Sequence, residues 1–484
     1  MSSLRNLKPE NVFYYFGEIC KIPRPSKKEG EIREWLLNKG KELGLATKQD
    51  AVGNVLISKP ATPGREAVTP VIFQSHMDMV CEKNTDTQFD FSKDSIQTEI
   101  EGDWLTAKGT TLGADDGIGM AIALAILADK SIEHGPIECL FTVDEETGLT
   151  GAAAIEPGFM TGKILLNLDS EEWGEFCIGC AGGKDTIVFL DIEHENIPEN
   201  SVAYKLILKG LKGGHSGCDI HLGRGNSIKL LNRVLWNAYQ DFDVRVAHFD
   251  AGNLHNAIPR EGYAVITVPQ DFAKDFENYV QAMNLVFKEE FHTTDPEVEL
   301  TLEPATMPGK IWEEFLQIDF MNAVYVCPHG VQAMSQDIPG FVESSTNLAS
   351  VKIVDNKVIK IVTSQRSSVE SKKQAVVDRV TATFSLIGAQ IEHGDGYPGW
   401  TPNPKSKALA LLKETYERLF NQVPEVKAIH AGLECGLFST KYPDMDMVSY
   451  GPTLFGVHSP DEKMLIPTVQ KCWDLTVEFL KSLK

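Results

Sequence analysis

Carboxylate and imidazole side chains recur in this sequence where apolar runs stop, and their types are those that bind metal ions or move protons. His76 and Asp78 follow the run Val71-Ile72-Phe73. The further members of the set are Asp115 with Asp116, Glu145 with Glu146, Asp169 and His458. A bridging carboxylate, with an imidazole and a carboxylate for each ion, would make a two-zinc site. One neighbour of the Glu145-Glu146 pair would then bind metal while the other acts as a base.

Each of these pieces also has a plainer interpretation. Asp115 and Asp116 precede a helix, and either one would serve as its N-cap. Asp78 could orient the imidazole of His76 behind a metal, but a single His-x-Asp pair is more often structural. Most charged side chains of a protein lie on its surface. The residues alone therefore leave capping, surface charge and metal binding open.

Hydrophobic patterns predict the elements that would position these groups. The stretch GTTLGADDGIGMA leads into the apolar segment 118–127, which has no proline and predicts a buried helix. Apolar runs at 71–73, 137–143 and 164–168 predict buried strands of an α/β sheet. In open α/β sheets the ligand site lies beyond the carboxyl ends of the strands. Acidic or imidazole residues follow all three runs, so we expect them to converge there.

Composition narrows the class of protein. The chain has 484 residues, which favours two or three domains, and its 42% hydrophobic and 24% charged content is ordinary for a globular protein. A net charge of −22 argues against a nucleic-acid partner, which would need a basic face. The nine cysteines show neither zinc-module spacing nor a disulfide pattern. Since no signal peptide or long apolar segment is apparent, we expect a cytoplasmic protein without membrane contact.

From about residue 187 the pattern indicates a second region inserted into the first. The first set of elements predicted there comprises strand 203–211, a helix from Ser227 to Tyr239, strands 244–249 and 263–268, helix 273–291 and strand 298–302. The second set comprises helix 311–323, strands 347–354 and 358–364, helix 370–387 and strand 389–393. After the turn Tyr397–Pro402, helices at 406–420 and 467–482 and strand-like pieces near 426–430 and 446–449 complete the chain. We predict a catalytic domain split by a lid.

Long motifs in this order resemble one known family. The strings are QSHMDMV, GTTLGADDGIGMA, TVDEETG, NLDSEEWGE, CAGG, LKGLKGGHSG, NAIPRE, IHAGLECGLF and HSPDE. They are similar to those of the bacterial aminoacyl-histidine dipeptidases, cytosolic enzymes also described as Xaa-His or carnosine-cleaving dipeptidases, within the di-zinc exopeptidases and deacylases. The resemblance extends from the IPRPS turn to the last helix.

The resemblance implies a metal centre. His76 and Asp169 would bind one ion, Glu146 and His458 the other, and Asp115 would bridge them. Asp78 would orient His76, Glu145 would be the general base and acid, and the bond after Asp115 would be cis. Two divalent ions are implied, zinc first, with Co²⁺ or Mn²⁺ as substitutes. Asp116 departs from the family pattern, because an Asn often follows the bridging Asp.

The resemblance also implies substrate contacts. His215 would donate to the tetrahedral oxyanion, Asn256 would help to hold the substrate, and Arg366 would grip its terminal carboxylate, for which the guanidinium fork is suited. Glu434 could pair with the free amine of the substrate. By themselves, His215 would be read as a polar residue of a glycine-rich turn and Arg366 as a surface charge.

Other chemistries find less support. Cys435 lies five positions after His430, but no orienting motif accompanies it, so a buried structural cysteine is favoured. His215-Ser216 is not a GxSxG nucleophile elbow. The carboxylates of GADDGIG would repel a phosphate.

We therefore predict an α/β zinc-exopeptidase-like catalytic domain, a mixed sheet flanked by helices, split by an inserted α+β lid. Its parts are residues 1–186, the lid 187–397 and residues 398–484. The predicted function is hydrolysis of small dipeptides, Xaa-His among them. The alternatives are a deacylase of N-acyl amino acids with the same metal shell and a catalytically silent metal-binding protein, against which the intact Glu145-Glu146 pair argues. The sequence leaves undecided whether the protein forms a homodimer.

The order of motifs predicts how the lid works. In simpler dimeric relatives, one lid carries the HSG turn, the Asn-x-x-Pro segment and then an Arg on the next strand; His and Asn act on the partner's site. Here the strand 263–268 after Asn256 has no Arg, and Arg366 comes about a hundred residues later. We expect the first set to imitate the partner's lid, so that one chain supplies His215, Asn256 and Arg366 to its own site.

Overall fold

The computed structural model describes residues 4–484, and these divide into two α/β units. The first unit comprises the described residues up to Cys180, together with Trp400–Ala428 and Leu433–Lys484. The second unit comprises Ala181–Gly399 and the short segment Ile429–Gly432. The sequence places the corresponding boundaries after residues 186 and 397, and nothing in its pattern separates Ile429–Gly432 from its neighbours.

The elements follow one another along the chain in three stretches. The helices up to Cys180 are α1 (Glu10–Ile19), α2 (Gly30–Glu42), α3 (Ala114–Ala128), α4 (Glu145–Gly148) and α5 (Thr150–Ala154). The strands of this stretch are β1 (Ala46–Gln49), β2 (Val55–Lys59), β3 (Val71–His76), β4 (Thr98–Glu101), β5 (Trp104–Ala107), β6 (Ile137–Thr142), β7 (Ile164–Asn167) and β8 (Glu175–Cys180).

The second unit follows. Its strands are β9 (Gly182–Asp191), β10 (His194–Glu195), β11 (Ser201–Lys209), β12 (Arg245–Gly252), β13 (Gly262–Pro269), β14 (Glu299–Pro304), β15 (Ile311–Trp312), β16 (Gly330–Met334), β17 (Val342–Val354), β18 (Val358–Ser367) and β19 (Gln390–His393). Its helices are α6 (Ser227–Phe242), α7 (Ala273–Glu290), α8 (Glu314–Val326) and α9 (Glu370–Ser385). The chain then completes the first unit with α10 (Lys407–Phe420), β20 (Glu425–Ile429), α11 (Glu434–Lys441), β21 (Asp446–Ser449), β22 (Leu454–Phe455), β23 (Lys463–Leu465) and α12 (Ile466–Ser482). Short 3-10 turns lie at Leu4–Asn6, Ile220–Leu222 and Gln270–Phe272.

The main sheet of the first unit has eight strands in the order β1-β2-β6-β3-β7-β21-β8-β20. Its centre is parallel, because β3 pairs in parallel with β6 and β7, and β21 with β7. Every residue of β3, β6 and β7 is buried, as expected of parallel strands covered on both faces. The predicted α/β class is confirmed, and the three strands place their carboxyl ends side by side.

Two further elements of the first unit position loops. Helix α3 is buried almost from end to end, which explains why its sequence is apolar on all sides. A four-stranded sheet with the order β22-β23-β5-β4 was not predicted. Its β23–β5 pairing brings the β22–β23 loop, residues 456–462, next to the strand that leads into α3.

The second unit is built from two halves with the same order of elements. The first half, residues 201–304, runs β11-α6-β12-β13-α7-β14, and the second half runs β9-α8-β17-β18-α9-β19. They form one sheet in the order β14-β11-β13-β12-β17-β18-β9-β19, with β16 paired to β17. The predictions included both sets except β9. Because β9 precedes the first half, the whole first half is inserted between β9 and α8.

The halves join at two antiparallel residue pairs, Ala251 with Val351 and Gly252 with Ser350. Gly252 has φ of +68°, and a Cβ there would lie 2.0 Å from the carbonyl oxygen of Ala349. Only glycine fits such a close approach of two strands.

One continuous apolar core lies beneath this sheet. It takes side chains from the strands and from α6, α7, α8 and α9, including the fully buried rings of Phe276, Phe287 and Phe320. Burial of each ring contributes about 1.5–3 kcal/mol relative to exposure. The helices thus hold the two halves of the sheet together. Among residues 4–484, no helix is both long and apolar enough to cross a membrane.

Candidate active site

His76 stands at the end of β3 and is enclosed by carboxylates. Its Nε2 atom lies 3.0 Å from Oδ1 of Asp115 and 3.3 Å from Oδ1 of Asp169, which follows β7. Its Nδ1 atom lies 3.4 Å from Oδ1 of Asp78. Although burial opposes protonation, the charges of Asp169, Asp115 and Asp78 raise the pKa of His76 well above its ordinary value. Asp78 is thus placed to orient the ring from behind, as the resemblance implies.

Asp78 is itself held in place. Its carboxylate accepts hydrogen bonds from the Ser26 hydroxyl at 2.8 Å and from the backbone N–H groups of Glu145 at 3.0 Å and Glu146 at 3.3 Å. Burial alone would raise its pKa, but His76 and these donors lower the pKa of Asp78 to about 2. One fully buried carboxylate therefore contacts the imidazole at the end of β3 and holds the turn after β6.

His458, in the loop between β22 and β23, contacts Asp115, the carboxylate that also contacts His76. Its Nε2 atom lies 3.1 Å from Oδ2 of Asp115 and 2.9 Å from Oε2 of Glu146. Donation to Asp115 and Glu146 raises the pKa of His458 to about 11. Asp115 therefore turns one oxygen to His76 and the other to His458, which is the arrangement expected of a bridging carboxylate.

The resulting donor sets suit divalent ions. His76, Asp115 and Asp169 form one group and Asp115, Glu146 and His458 the other, each with its candidate ligand atoms within 4.8 Å of one another. Burial raises the pKa of Asp169 well above its ordinary value, with the charge of Asp115 adding to the effect against the opposing charge of His76. The Oε1 atom of Glu146 is buried without a hydrogen-bond partner in the described part of the chain. Crowded carboxylates with unused oxygens, beside two imidazoles, fit cations of the zinc type.

The Asp115–Asp116 peptide bond is cis, as the resemblance predicts. Asp116, the departure from the family pattern, is buried and accepts a hydrogen bond from the backbone N–H of Gly119 at 3.0 Å. Burial, then the charges of Asp169 and Asp115, raise the pKa of Asp116 well above its ordinary value. A protonated Asp116 is uncharged, and in this respect it resembles the asparagine that often occupies this position in the family.

Glu145 opens the short helix α4, directly after the left-handed residue Asp144. Burial raises the pKa of Glu145 well above its ordinary value; the charge of His76 opposes this, and Asp169, Glu434 and Glu146 add to it. A carboxyl group with a raised pKa is suited to accept and return a proton near neutral pH. Glu145 also lies within 4.8 Å of His76 and Glu146. Glu146 differs from Glu145 in that it contacts His458.

Glu434, at the start of α11, is completely buried. Its Oε2 atom accepts hydrogen bonds from Gln74 at 2.5 Å and Thr142 at 2.8 Å. Burial raises its pKa to about 7. Its second oxygen, Oε1, has no hydrogen-bond partner among the residues described. A pairing with a substrate amine stays a prediction.

Two charged residues within the motifs IPRPS and HSPDE, Arg24 and Glu462, were not among the predicted site residues. Arg24 is buried and donates from Nη1 to the carbonyl of Asp78 at 2.6 Å and from Nη2 to the carbonyl of Gly113. Glu462 accepts from the backbone N–H groups of Leu112 and Gly113 at 2.7 and 2.9 Å and of Ala114 at 2.7 Å. The two charges therefore hold the loop before Asp115 from both sides.

Gly113 shows why this loop needs glycine. Its φ is +68°, and a Cβ would lie 2.6 Å from Nη2 of Arg24. The only signals for these contacts were the charged letters inside IPRPS and HSPDE, which the predictions left without a role.

In the second unit, His215 lies in the connection between β11 and α6. Its Nδ1 atom accepts hydrogen bonds from the backbone N–H groups of Gly217 at 3.2 Å and Cys218 at 3.1 Å. Burial, then the charge of Arg366, lower the pKa of His215. Because Nδ1 accepts, the proton of the neutral ring must sit on Nε2. His215 therefore presents a neutral N–H donor.

Asn256 lies in the connection between β12 and β13, and this segment is fixed to the His215 turn. The N–H of Ser216 donates to the carbonyl of Asn256 at 2.8 Å, and His215 and Ala257 form an isolated bridge. Asn347 of β17 donates to the carbonyl of Ala257 at 2.8 Å. A strand of the second half thus supports a loop of the first.

Arg366 stands near the end of β18 and is only 6% exposed. Its Nη1 atom donates to the hydroxyl of Tyr397 at 2.8 Å, while Nε has no hydrogen-bond partner within residues 4–484. Arg366 and Asn256 line the same cavity of about 470 Å³. The two predicted substrate contacts therefore come together within this unit.

Comparison with known proteins agrees with this geometry. Residues 72–482 match the family described as Peptidase family M20/M25/M40. The cytosol non-specific dipeptidase of Escherichia coli (strain K12) is 44% identical over 488 residues, covering 100% of this chain and 99% of that protein. The crystal structure of aminoacylhistidine dipeptidase from Vibrio alginolyticus has 43% sequence identity and a TM-score of 0.94, covering 100% of this chain and 99% of that one. Aminopeptidase PepT from Bacillus cereus, 18% identical, shares the fold over 98% of both chains with a TM-score of 0.57.

Proposed function

The chain belongs to Peptidase family M20/M25/M40, and from this premise we propose that it is a metal-dependent dipeptidase whose substrates have a free amino terminus and include Xaa-His dipeptides. The observation that carries the proposal is Asp115, which turns one oxygen to His76 and the other to His458. The names of two relatives that match over the full length, a non-specific dipeptidase and an aminoacylhistidine dipeptidase, support the substrate class.

His76 and Asp169 would hold one divalent ion and Glu146 and His458 the other, with Asp115 between them. Nitrogen and oxygen donors in this ratio favour zinc, and Co²⁺ or Mn²⁺ accept the same ligands. When bound, such ions polarise the peptide carbonyl and make water acidic enough to be deprotonated near neutral pH. Asp78 would keep His76 in the orientation that its Nε2 atom needs.

Glu145 would move the proton. Its carboxylate would take a proton from the attacking water and deliver it to the departing amine of the second residue, and the raised pKa of Glu145 suits both steps. Glu434 would contribute a buried negative charge to the free amino group of the substrate.

The second unit would supply neutral and cationic donors. The Nε2–H of His215 would donate to the oxyanion of the tetrahedral intermediate, and it is fixed in that tautomer by two backbone N–H groups. Asn256 would hold the substrate backbone, and Arg366 would bind its terminal carboxylate. Reaction in the cytoplasm is part of the proposal and is supported by the name of the Escherichia coli relative.

The decisive experiment separates the base from the ligand. Glu145→Gln should keep its metal content and lose about 10²–10⁴-fold in kcat on Gly-His, since that is the usual contribution of a general base. Glu146→Gln should instead bind less metal, measured by elemental analysis after dialysis. Glu172→Gln, an exposed glutamate of the same motif set, is the control and should match the wild type in both.

Loss of metal from Glu145→Gln with metal retained in Glu146→Gln would reverse the two roles. A panel of Xaa-His dipeptides and N-acyl amino acids, assayed in defined metal, then tests the substrate class. Turnover restricted to the N-acyl compounds would replace the dipeptidase by a deacylase.

A further inference from the structure

The cavity beside Arg366 contains more chemistry than a carboxylate site requires. Asp185 and Asp395 line it as well, together with His255 and Ser364. The proposal below rests on the proposed function, because it assumes that Arg366 receives the terminal carboxylate of a dipeptide.

The register of β9 and β18 defines the floor of this cavity. Arg366 pairs with Gly183 and Ser364 pairs with Asp185. Since side chains of a strand alternate between its faces, Asp185 and Arg366 lie on the same face, with a carboxylate two residues along from the guanidinium. Lys184, between Gly183 and Asp185, also lines the cavity, although its side chain starts toward the opposite face of the strand.

The Arg366 end is prepared for an anion. The guanidinium is more than nine-tenths buried, and its Nε–H has no hydrogen-bond partner in the part of the chain that the structure describes. A buried donor without a partner costs free energy, which a bound carboxylate would recover. The hydrogen bond from Nη1 to the Tyr397 hydroxyl helps to hold the guanidinium in position.

The other end is prepared for a positive or proton-donating group. The Oδ2 atom of Asp185 lies 2.9 Å from Nδ1 of His255, whose side chain is 54% exposed. This contact places a carboxylate oxygen of Asp185 close to an imidazole nitrogen in the cavity. Because His255 is more than half exposed, it can yield its place. Asp395, which is exposed in the loop that follows β19, adds a second negative charge.

We propose that this cavity receives the C-terminal residue of the dipeptide and that Asp185 selects an imidazole or cationic side chain on that residue. Arg366 binds the α-carboxylate, and the side chain extends along β9 toward Asp185 and replaces His255 there. The charges of the cavity, positive at one end and negative at the other, match a C-terminal histidine, lysine or arginine. This gives Xaa-His hydrolysis a specificity-determining residue.

The test compares kcat/KM for Gly-His, Gly-Lys and Gly-Leu in the metal-loaded enzyme. Asp185→Asn should lower the Gly-His to Gly-Leu ratio about tenfold, the low end for loss of a charge-assisted hydrogen bond at a part-exposed site. The Gly-Lys to Gly-Leu ratio of kcat/KM should fall at least as much, because the amide of asparagine cannot offset the charge of an ammonium group. Asp191→Asn, the same exchange at the exposed end of β9, is the matched control and should leave all ratios unchanged.

Equal losses on all three dipeptides in Asp185→Asn would overturn the proposal. His255→Ala provides a second check, since removal of the displaced side chain should keep or raise the Gly-His preference. A drop in that preference as large as in Asp185→Asn would show that the pair acts structurally and would also overturn it. If the wild type hydrolyses none of the dipeptides, the proposed function fails instead, so the two failures are distinct.

Discussion

The two halves of the second unit have the same order of elements but differ in their connections. In the first half, β11 leads to α6 through the turn with His215, and β12 leads to β13 through the segment with Asn256. In the second half, β17 turns into β18 within residues 355–357, and the connection from β9 to α8 is occupied by the entire first half. Arg366 lies on β18, whereas the matching strand β13 has no arginine.

The difference indicates a division of labour within a doubled scaffold. Both halves keep the apolar residues that build the common core, since packing depends on each of them. The proposed substrate contacts occur only once: His215 and Asn256 on long connections of the first half, and Arg366 on a strand of the second. Substitutions at equivalent places in the two halves should therefore have unequal effects.

The largest effect is expected at His215. His215→Ala should lower kcat about 10²–10³-fold with little change in KM, because the lost donor acts on the transition state. Steady-state kinetics on Gly-His measure this. Mixing this variant with Glu145→Gln under subunit exchange sharpens the comparison. No activity should return if the first half serves its own chain, and recovery would mean that it serves another.

Arg366→Lys should raise KM about 10–100-fold and change kcat much less. Lysine keeps the charge but loses the planar fork and its contact with Tyr397. Arg379→Lys, an exposed position on α9, controls for the exchange itself. An amide of the dipeptide's terminal carboxylate should bind equally poorly to the wild type and to Arg366→Lys. A KM for the free carboxylate that stays at the wild-type value in Arg366→Lys would remove the second half from substrate binding.

The smallest effect is expected at Asn256, since one neutral hydrogen bond to substrate accounts for about tenfold in kcat/KM. Asn256→Ala is compared with Asn356→Gly, in the corresponding turn of the second half, where φ is +54° and glycine fits. Only Asn256→Ala should lose activity, while both should unfold at similar temperatures. Equal losses would show that the two connections matter alike.

The central cluster could be predicted because short-range patterns determine it. Apolar runs that lead into His76, Glu145 and Asp169 indicate buried strands of an α/β sheet, and such strands bring their carboxyl ends together. The assignment of ligands and of His215, Asn256 and Arg366 needed the resemblance, since a lone histidine or arginine carries no pattern.

Other features depend on contacts that no local pattern reveals. Strand β9 begins with Gly182 and Gly183, which indicate a loop, and it pairs with β18 and β19, far away in sequence. Arg24 and Glu462 act on backbone groups of a loop nearly a hundred or more residues distant. Hydrogen bonds to backbone groups leave no pattern in the sequence, so the roles of Arg24 and Glu462 became apparent only in the structure.

The insertion of the first half between β9 and α8 affects how the chain is made. By the time residue 304 leaves the ribosome, β11, β12, β13 and β14 can pair among themselves. Strand β9 has emerged earlier, yet its partners begin only at Val358 and Gln390. At about 5–20 residues per second, that wait is long compared with the folding of a small domain. The strands of the first half can therefore pair before the second half exists, whereas β9 has no partner strand until β18 emerges, and its Val188 and Leu190 lack the core that later buries them.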